Sequence, residues 1–274
     1  LKSYSYDEIF NKNEIKVPFN ETHYIYFDKK NNFYPSKKIK IKLEKVSIGN
    51  LNKNNNYLNG RVVLIGDLSN VSDIIVKSFE NKEIKNNAFL KERFTDRLLT
   101  GCITIIDSNF DKLNFDISNL SCEDSINFIR SKGQVKRLKI RNARSDAMDA
   151  DFSEIIFNEV IIENSGGDCL DFSGGKYLVK SSKIYRCFDK GVSVGESSYF
   201  YGRNLDITKT DIGIASKDNS IVEILDSNIT NSNFCIKAYR KKQEFGGGKI
   251  SYKNLKLNCV YKNKNKYPIK DKFS

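Results

Sequence analysis

The feature that most restricts this chain is a repeat. An acidic residue stands before a short apolar-alternating run at Asp124, Asp146, Asp168, Asp189 and Asp211, and Asn233 continues the series, in steps of 22, 22, 21, 22 and 22 residues. The runs that follow are SINFIR, AMDADF, CLDFS, GVSVG, GIASK and CIKAY. Each alternates apolar and polar residues, the period-2 sign of a strand with one buried face. A second strand lies in mid-repeat: VKRLKIRN, FNEVIIEN, SSKIYRC, RNLDITK and LDSNITN. Helical spacing never takes over. One such unit cannot bury its own apolar face, but copies stacked ~4.8 Å apart make a continuous core and pair every backbone group along the axis. The expected fold is all-β: a right-handed parallel β-helix of ~22-residue coils. A leucine-rich repeat overlaps in period but needs a recurrent L-x-x-L-x-L-x-x-N/C frame, which is missing.

Alignment of the runs predicts inward ladders of Ile126 and Phe128, Met148 with Ala150 and Phe152, Leu170 and Phe172, Val192 and Val194, Ile214, and Ile236 with Ala238. One step back from Asp124 lies Cys102, where CITIIDS supplies another strand, so at least seven coils are expected between about residues 100 and 258. The division that follows is a strand-rich N-terminal cap with irregular early coils at 1–98, the β-helix at 99–258, and a Lys-rich, solvated tail at 259–274. Within the first region, FENKEIKNNAFLKERFTDR reads as an inserted loop or short helix.

The formal net charge of +12 is unevenly spread: +6 over residues 1–98, −3 over 99–238 and +9 over 239–274. The repeat region is thus slightly acidic. It presents no basic stripe on an ordered face, and nucleic acid is not an expected partner. No apolar run approaches the ~20 residues of a membrane span. With one histidine, His23, the chain offers no His triad or multi-His metal site. It opens on Leu1 and its single methionine is Met148, so it reads as a piece of a longer protein whose parent carries further domains.

The six cysteines, at 102, 122, 169, 187, 235 and 259, share no column in adjacent coils and form no C-x-x-C pair. They read as small buried hydrophobes, reduced, which suits a cytoplasmic compartment; a cell-envelope location is the alternative. The aspartates before each strand read as turn formers whose carboxylates bond to backbone. The strands after them carry more chemistry. With Met148, Ala150 and Phe152 inward, Asp149 and Asp151 point out; with Leu170 and Phe172 inward, Asp171 and Ser173 do. Farther along the row come Ser193 and Glu196, then Lys217 beside Asp218, then Lys237 and Tyr239. Carboxylates one or two coils apart stand ~5–10 Å from each other, the separations used by retaining and inverting glycoside hydrolases. Their mutual repulsion has three remedies: raised pKa values, pairing with Lys190 or Arg130, or a bound Ca²⁺. Pairing is the favoured one, and no metal site or cofactor is assigned.

Taken together, CEDSINFIRS, SDAMDADFS, GGDCLDFSGG, DKGVSVGESS, GIASKDNS and AYRKKQEFGGGKI resemble a bacterial right-handed β-helix group, sometimes fused to domains similar to spore-coat-protein-H-like kinases. The resemblance covers about residues 99–250. More distantly the order is similar to polygalacturonases and other pectin-active β-helix enzymes, whose coils carry N-T-D, G-D-D and G-H-G. By that resemblance SDAMD takes the first place, GGDC with Asp168 the second and DKG the third, with Lys190 where that family has histidine. The D-P-H-D motif of epimerases and lyases of this fold is absent. The implied function is binding, with lyase, epimerase or hydrolase processing, of an anionic bacterial surface or capsular polysaccharide. Asp149, Asp151, Asp171, Lys190 and Lys217 would be the catalytic set, and Arg130, Glu196, Lys237, Tyr239 and Arg240 the substrate-binding set. The alternative is a non-enzymatic scaffold within a larger cell-envelope protein.

Overall fold

The computed structural model describes residues 2–4, 14–18, 21–28, 37–43, 60–78, 98–263 and 269–271. The segment expected as an inserted loop or short helix, 79–97, lies outside them. Every regular element among the described residues is a strand. The first six are β1 (Lys2–Tyr4), β2 (Ile15–Val17), β3 (Thr22–Phe27), β4 (Lys37–Leu43), β5 (Arg61–Asp67) and β6 (Val71–Ser78). Then come β7 (Gly101–Ser118), β8 (Asp124–Ile129), β9 (Lys132–Ala143), β10 (Asp146–Asp151), β11 (Glu154–Ser165), β12 (Leu170–Ser173) and β13 (Lys176–Val179). The last eight are β14 (Ser182–Gly195), β15 (Tyr199–Arg203), β16 (Leu205–Lys217), β17 (Ile221–Thr230), β18 (Phe234–Tyr239), β19 (Lys249–Asn258), β20 (Tyr261–Asn263) and β21 (Ile269–Asp271).

All the pairings are parallel; from β7 on each joins a residue to one 19–28 positions farther, while β3–β5, β5–β7 and β6–β7 span 39–42. Met148 pairs with Leu170 and Ser182 with Leu205, steps of 22 and 23. The pairings sort into three ladders, so the coils form a three-sided parallel β-solenoid of about 8 turns. The first ladder runs through β8, β10, β12, the end of β14, the end of β16 and β18. It extends backwards through β7 and β5 to β3 and β1, and forwards to β20. The N-terminal strands and the Lys-rich end, expected as a cap and a solvated tail, thus contribute rungs to the ladders, β21 on β19 included.

The interior is a column of side chains. Ile126, Phe128, Met148, Ala150, Leu170, Phe172, Val192, Val194, Ile214, Ile236 and Ala238 are all buried, as the alternation requires. Phe128 lies 5.9 Å from Phe110, 5.7 Å from Phe115 and 6.1 Å from Phe157, and the stack passes on to Phe172 and Phe200. Each buried ring contributes about 2–3 kcal/mol of hydrophobic stabilisation. Phe152 corrects the expected ladder. It is 62% exposed, because at φ +50 the chain turns left-handed one residue past β10 and swings the side chain out of the alternation.

The cysteines are a second correction. All six form disulfides, Cys102–Cys122, Cys169–Cys187 and Cys235–Cys259, and no described cysteine is free. The separations are 20, 18 and 24 residues, so each bridge joins points nearly one coil apart but displaced along it. A search for cysteines sharing one column passes over such pairs.

Candidate functional site

On the outer side of the first ladder, register puts Thr104, Asn127, Asp149, Asp171, Ser193, Ala215 and Lys237 in one row. A parallel row two residues on holds Asp151, Ser173 and Gly195. The alternation that buries Met148 and Ala150 therefore places Asp149 and Asp151 outward on β10 and Asp171 outward on β12. The row is sunken: Thr104, Asn127 and Ser193 are buried, while Asp149, Asp151 and Asp171 are half-buried.

Before these strands stands the acidic column. Asp146 Oδ1 accepts the backbone N–H of Asp168 at 2.7 Å, and Asp168 Oδ1 accepts that of Lys190 at 2.8 Å. The turn-forming role is real for both. The column continues into Lys190, not Asp189, because the 22-residue register holds from Ser165–Cys187 to Leu170–Val192, which puts Asp168 opposite Lys190. Asp189 is exposed one residue before the column, and the 21-residue step in the sequence is that offset. Lys190 Nζ reaches Asp168 at 3.2 Å and also bonds Asp189.

Lys217 departs most from its expected place beside Asp218 on an open surface. It is buried, and its Nζ lies 3.8 Å from Asp171 Oδ1, two coils back. The stem crosses Gly195, where an added Cβ would meet Lys217 Cε at 3.3 Å, so the glycine leaves the path open. Asp218 is buried and accepts the N–H groups of Lys241 and Lys242. Arg130 does not serve the carboxylates of the row either. Its guanidinium grips Asp107 on the preceding coil at 2.8 and 2.9 Å. Glu196 pairs with Lys242, Lys237 Nζ sits 3.9 Å above the Phe234 ring, and Arg240 is exposed. Tyr239 faces the Lys190 end, its hydroxyl pushed up to about 12 by burial despite the lysine.

The electrostatics follow from burial and crowding. Burial, then the charges of neighbouring carboxylates, raises Asp146 to about 8. Burial likewise lifts Asp124 to about 7 and Asp168 to about 6. Asp149 is pushed well above the usual carboxylate range by burial and then by Asp124, Asp151 and Asp171. Burial also raises Asp151, against the N–H of Asn127 that bonds it. For Lys190, burial opposes the charge, but Asp168 and Asp189 outweigh it and hold the ammonium firmly protonated. Repulsion is thus relieved by two of the expected routes, raised pKa values and lysine pairing. Asp146, Asp168 and Asp171 bring carboxylate oxygens within 4.8 Å of one another, a set that suits a hard cation. Lys190 and Lys217 already stand against that set, and no metal is assigned to it.

Several polar atoms of this face have no hydrogen-bond partner: Thr104 Oγ1, Asn127 Oδ1, Asp124 Oδ2, Asp171 Oδ1 and Ser193 Oγ. Sequence reasoning missed Thr104 and Asn127, which the repeat places on the row, Asn127 lying one 22-residue step before Asp149. It read Asp124, Asp146 and Asp168 chiefly as turn formers and left them out of the catalytic set.

No family model matches the chain, and no curated protein does. Among solved structures, the catalytic domain of a GH87 alpha-1,3-glucanase in complex with nigerose is similar at 10% identity and a TM-score of 0.30, over 89% of this chain. An aspartate-to-alanine variant of the glucanase, also with nigerose, is similar at 10% identity and a TM-score of 0.36. The chain spans 59% of the length of those domains.

Proposed function

We propose that the outer face of the first ladder binds a polysaccharide and performs acid–base chemistry on it. The observation that carries this reading is the pair Asp149 and Asp171, in register on adjacent coils but in different surroundings. Burial and four carboxylate neighbours favour the protonated form of Asp149. Asp171 Oδ1, which has no hydrogen-bond partner, faces the Lys217 ammonium at 3.8 Å. Two carboxyl groups placed so differently suit a division between acid and base. Asp149 donates a proton to the glycosidic oxygen, and Asp171 acts as base or nucleophile on the other side of the bond. Asp151 shares the proton load with Asp149, and Lys190 fixes the neighbouring turn through Asp168. Glycans of bacterial surfaces and capsules, often anionic, suit the lysines at the far end of the row. Three disulfides support an oxidising compartment in which such polymers occur.

The test is to incubate the chain with a panel of neutral and uronate-containing polysaccharides, measuring reducing ends and unsaturated products. Product from the wild-type chain and none from Asp149→Asn supports the reading. Neither binding nor product across the panel removes it.

A further inference from the structure

At the edge of the acid face six successive coils turn left-handed at the same position, followed by a second left-handed residue at Ser197 and Asn219. The column reads Asp107, Arg130, Phe152, Gly174, Glu196 and Asp218, with φ between 46 and 64 throughout. Such positions favour glycine, asparagine and aspartate, and a bulky aromatic there is strained. The charged members have their charges engaged: Arg130 with Asp107, Glu196 with Lys242, and Asp218 with the amides of Lys241 and Lys242. Phe152 differs. It is apolar, 62% exposed, and directly follows Asp151 of the acid row. Its ring rests on Gly174 of the next coil, where an added Cβ would meet Phe152 Cδ1 at 2.6 Å and Cε1 at 2.7 Å. The glycine leaves room for the Cδ1–Cε1 edge of the ring against the coil, and the rest of the side chain is largely exposed. Strain and exposure at a conformation that asparagine would adopt more readily give no evident folding benefit.

We infer that Phe152 is a stacking platform for the apolar face of a pyranose ring, a subsite at the rim of the acid row. An aromatic ring offers a rigid flat surface at little cost in side-chain entropy, and sugars present axial C–H groups that fit it. The platform sits one residue from the Asp151 carboxyl, so a ring stacked there holds the adjoining glycosidic bond beside the acid row. This inference rests on the reading of the face as a glycan site. It adds the ligand group recognised, the C–H face of a hexopyranose, and the residue that recognises it.

Cellohexaose, chitohexaose and hexagalacturonate serve as probes, with titration calorimetry on the full chain. Phe152→Asn suits the left-handed corner, so the variant folds at least as well as the wild type. It should nevertheless bind the preferred hexasaccharide about tenfold more weakly. Phe152→Tyr should retain affinity. Tyr185→Ala, at a tyrosine that pairs with Glu163 on a different ladder, should leave affinity unchanged. If the wild type binds a probe and Phe152→Asn binds it equally well, the platform is refuted while the glycan site stands. If the wild type binds none of the three at millimolar concentration, both fail. If Phe152→Asn instead converts a dimer to a monomer in sedimentation, the ring belongs to an interface and the inference is overturned.

Discussion

Two regions of the same solenoid solve the same problem in opposite ways. At one corner Asn119, Asn142 and Asn164 sit at φ +62, +56 and +62, and each side-chain amide donates to the carbonyl of the one before, at 2.9 and 3.1 Å. At another, serines climb the axis. The N–H of Ser108 donates to Ser131 Oγ and that of Ser131 to Ser153 Oγ, and Ser198 and Ser220 repeat the bond. The serine ladder satisfies buried backbone N–H groups, and the asparagine ladder ties exposed corners together through side-chain amides. The outer row of the first ladder is as regular in register, yet it buries carboxyl groups side by side and leaves several polar atoms unpartnered. A polar group buried without a partner costs about 1–3 kcal/mol, and burial of neighbouring carboxylates adds to that. The ladders stabilise the fold, whereas the acid row weakens it.

The largest expected difference is in turnover. Asp149→Asn keeps the shape of the row and should lower kcat on whichever glycan is processed by about 10²–10⁴-fold, the usual share of a general acid. The melting temperature should hold or rise. A variant that loses stability and keeps its rate would make the acid row a structural ladder like the others. Next in size is the double change Cys169→Ser with Cys187→Ser, which should cost about 3 kcal/mol in urea unfolding. An assay for free thiols should find none in the folded chain, and six after reduction in denaturant.

The third prediction concerns pH. Because burial raises Asp146 to about 8, the folded chain keeps a proton that the unfolded chain releases near pH 4. The unfolded state then binds fewer protons, so stability should fall as pH rises between roughly 4 and 8. Asp146→Asn preserves an acceptor for the Asp168 N–H and should raise the melting temperature at pH 8 by about 5 °C, flattening its pH dependence. The smallest effect belongs to the satisfied ladder. Ser131→Ala, which removes one rung, should cost about 1 kcal/mol with no pH dependence.

The sequence carried the core and the outward placement of Asp149, Asp151 and Asp171, because both follow from period-2 alternation repeated coil after coil. Its errors fall where a local event breaks that regularity. Asp189 stands one residue early in its coil, so the unbroken 22-residue register gives Lys190 the column place that the acidic series assigned to Asp189. A left-handed corner turned Phe152 out of the core. The pairing of Lys217 with Asp171 depends on a long side chain crossing Gly195 over two coils, which no pattern of apolar and polar residues encodes. The disulfides were hidden for a related reason, since their partners are offset along the coil and not stacked in one column.

Burial and crowding should keep protonated and ionised carboxyl groups together on this face at neutral pH. Carboxyl-carbon NMR of aspartate-labelled protein, titrated from pH 3 to pH 10 and assigned with Asp146→Asn, tests this most directly. A resonance with a midpoint near pH 8, lost in Asp146→Asn, and another near pH 7 from Asp124 are expected. Aspartates that all titrate below about pH 5 would contradict this, leaving the row an ordinary solvated surface.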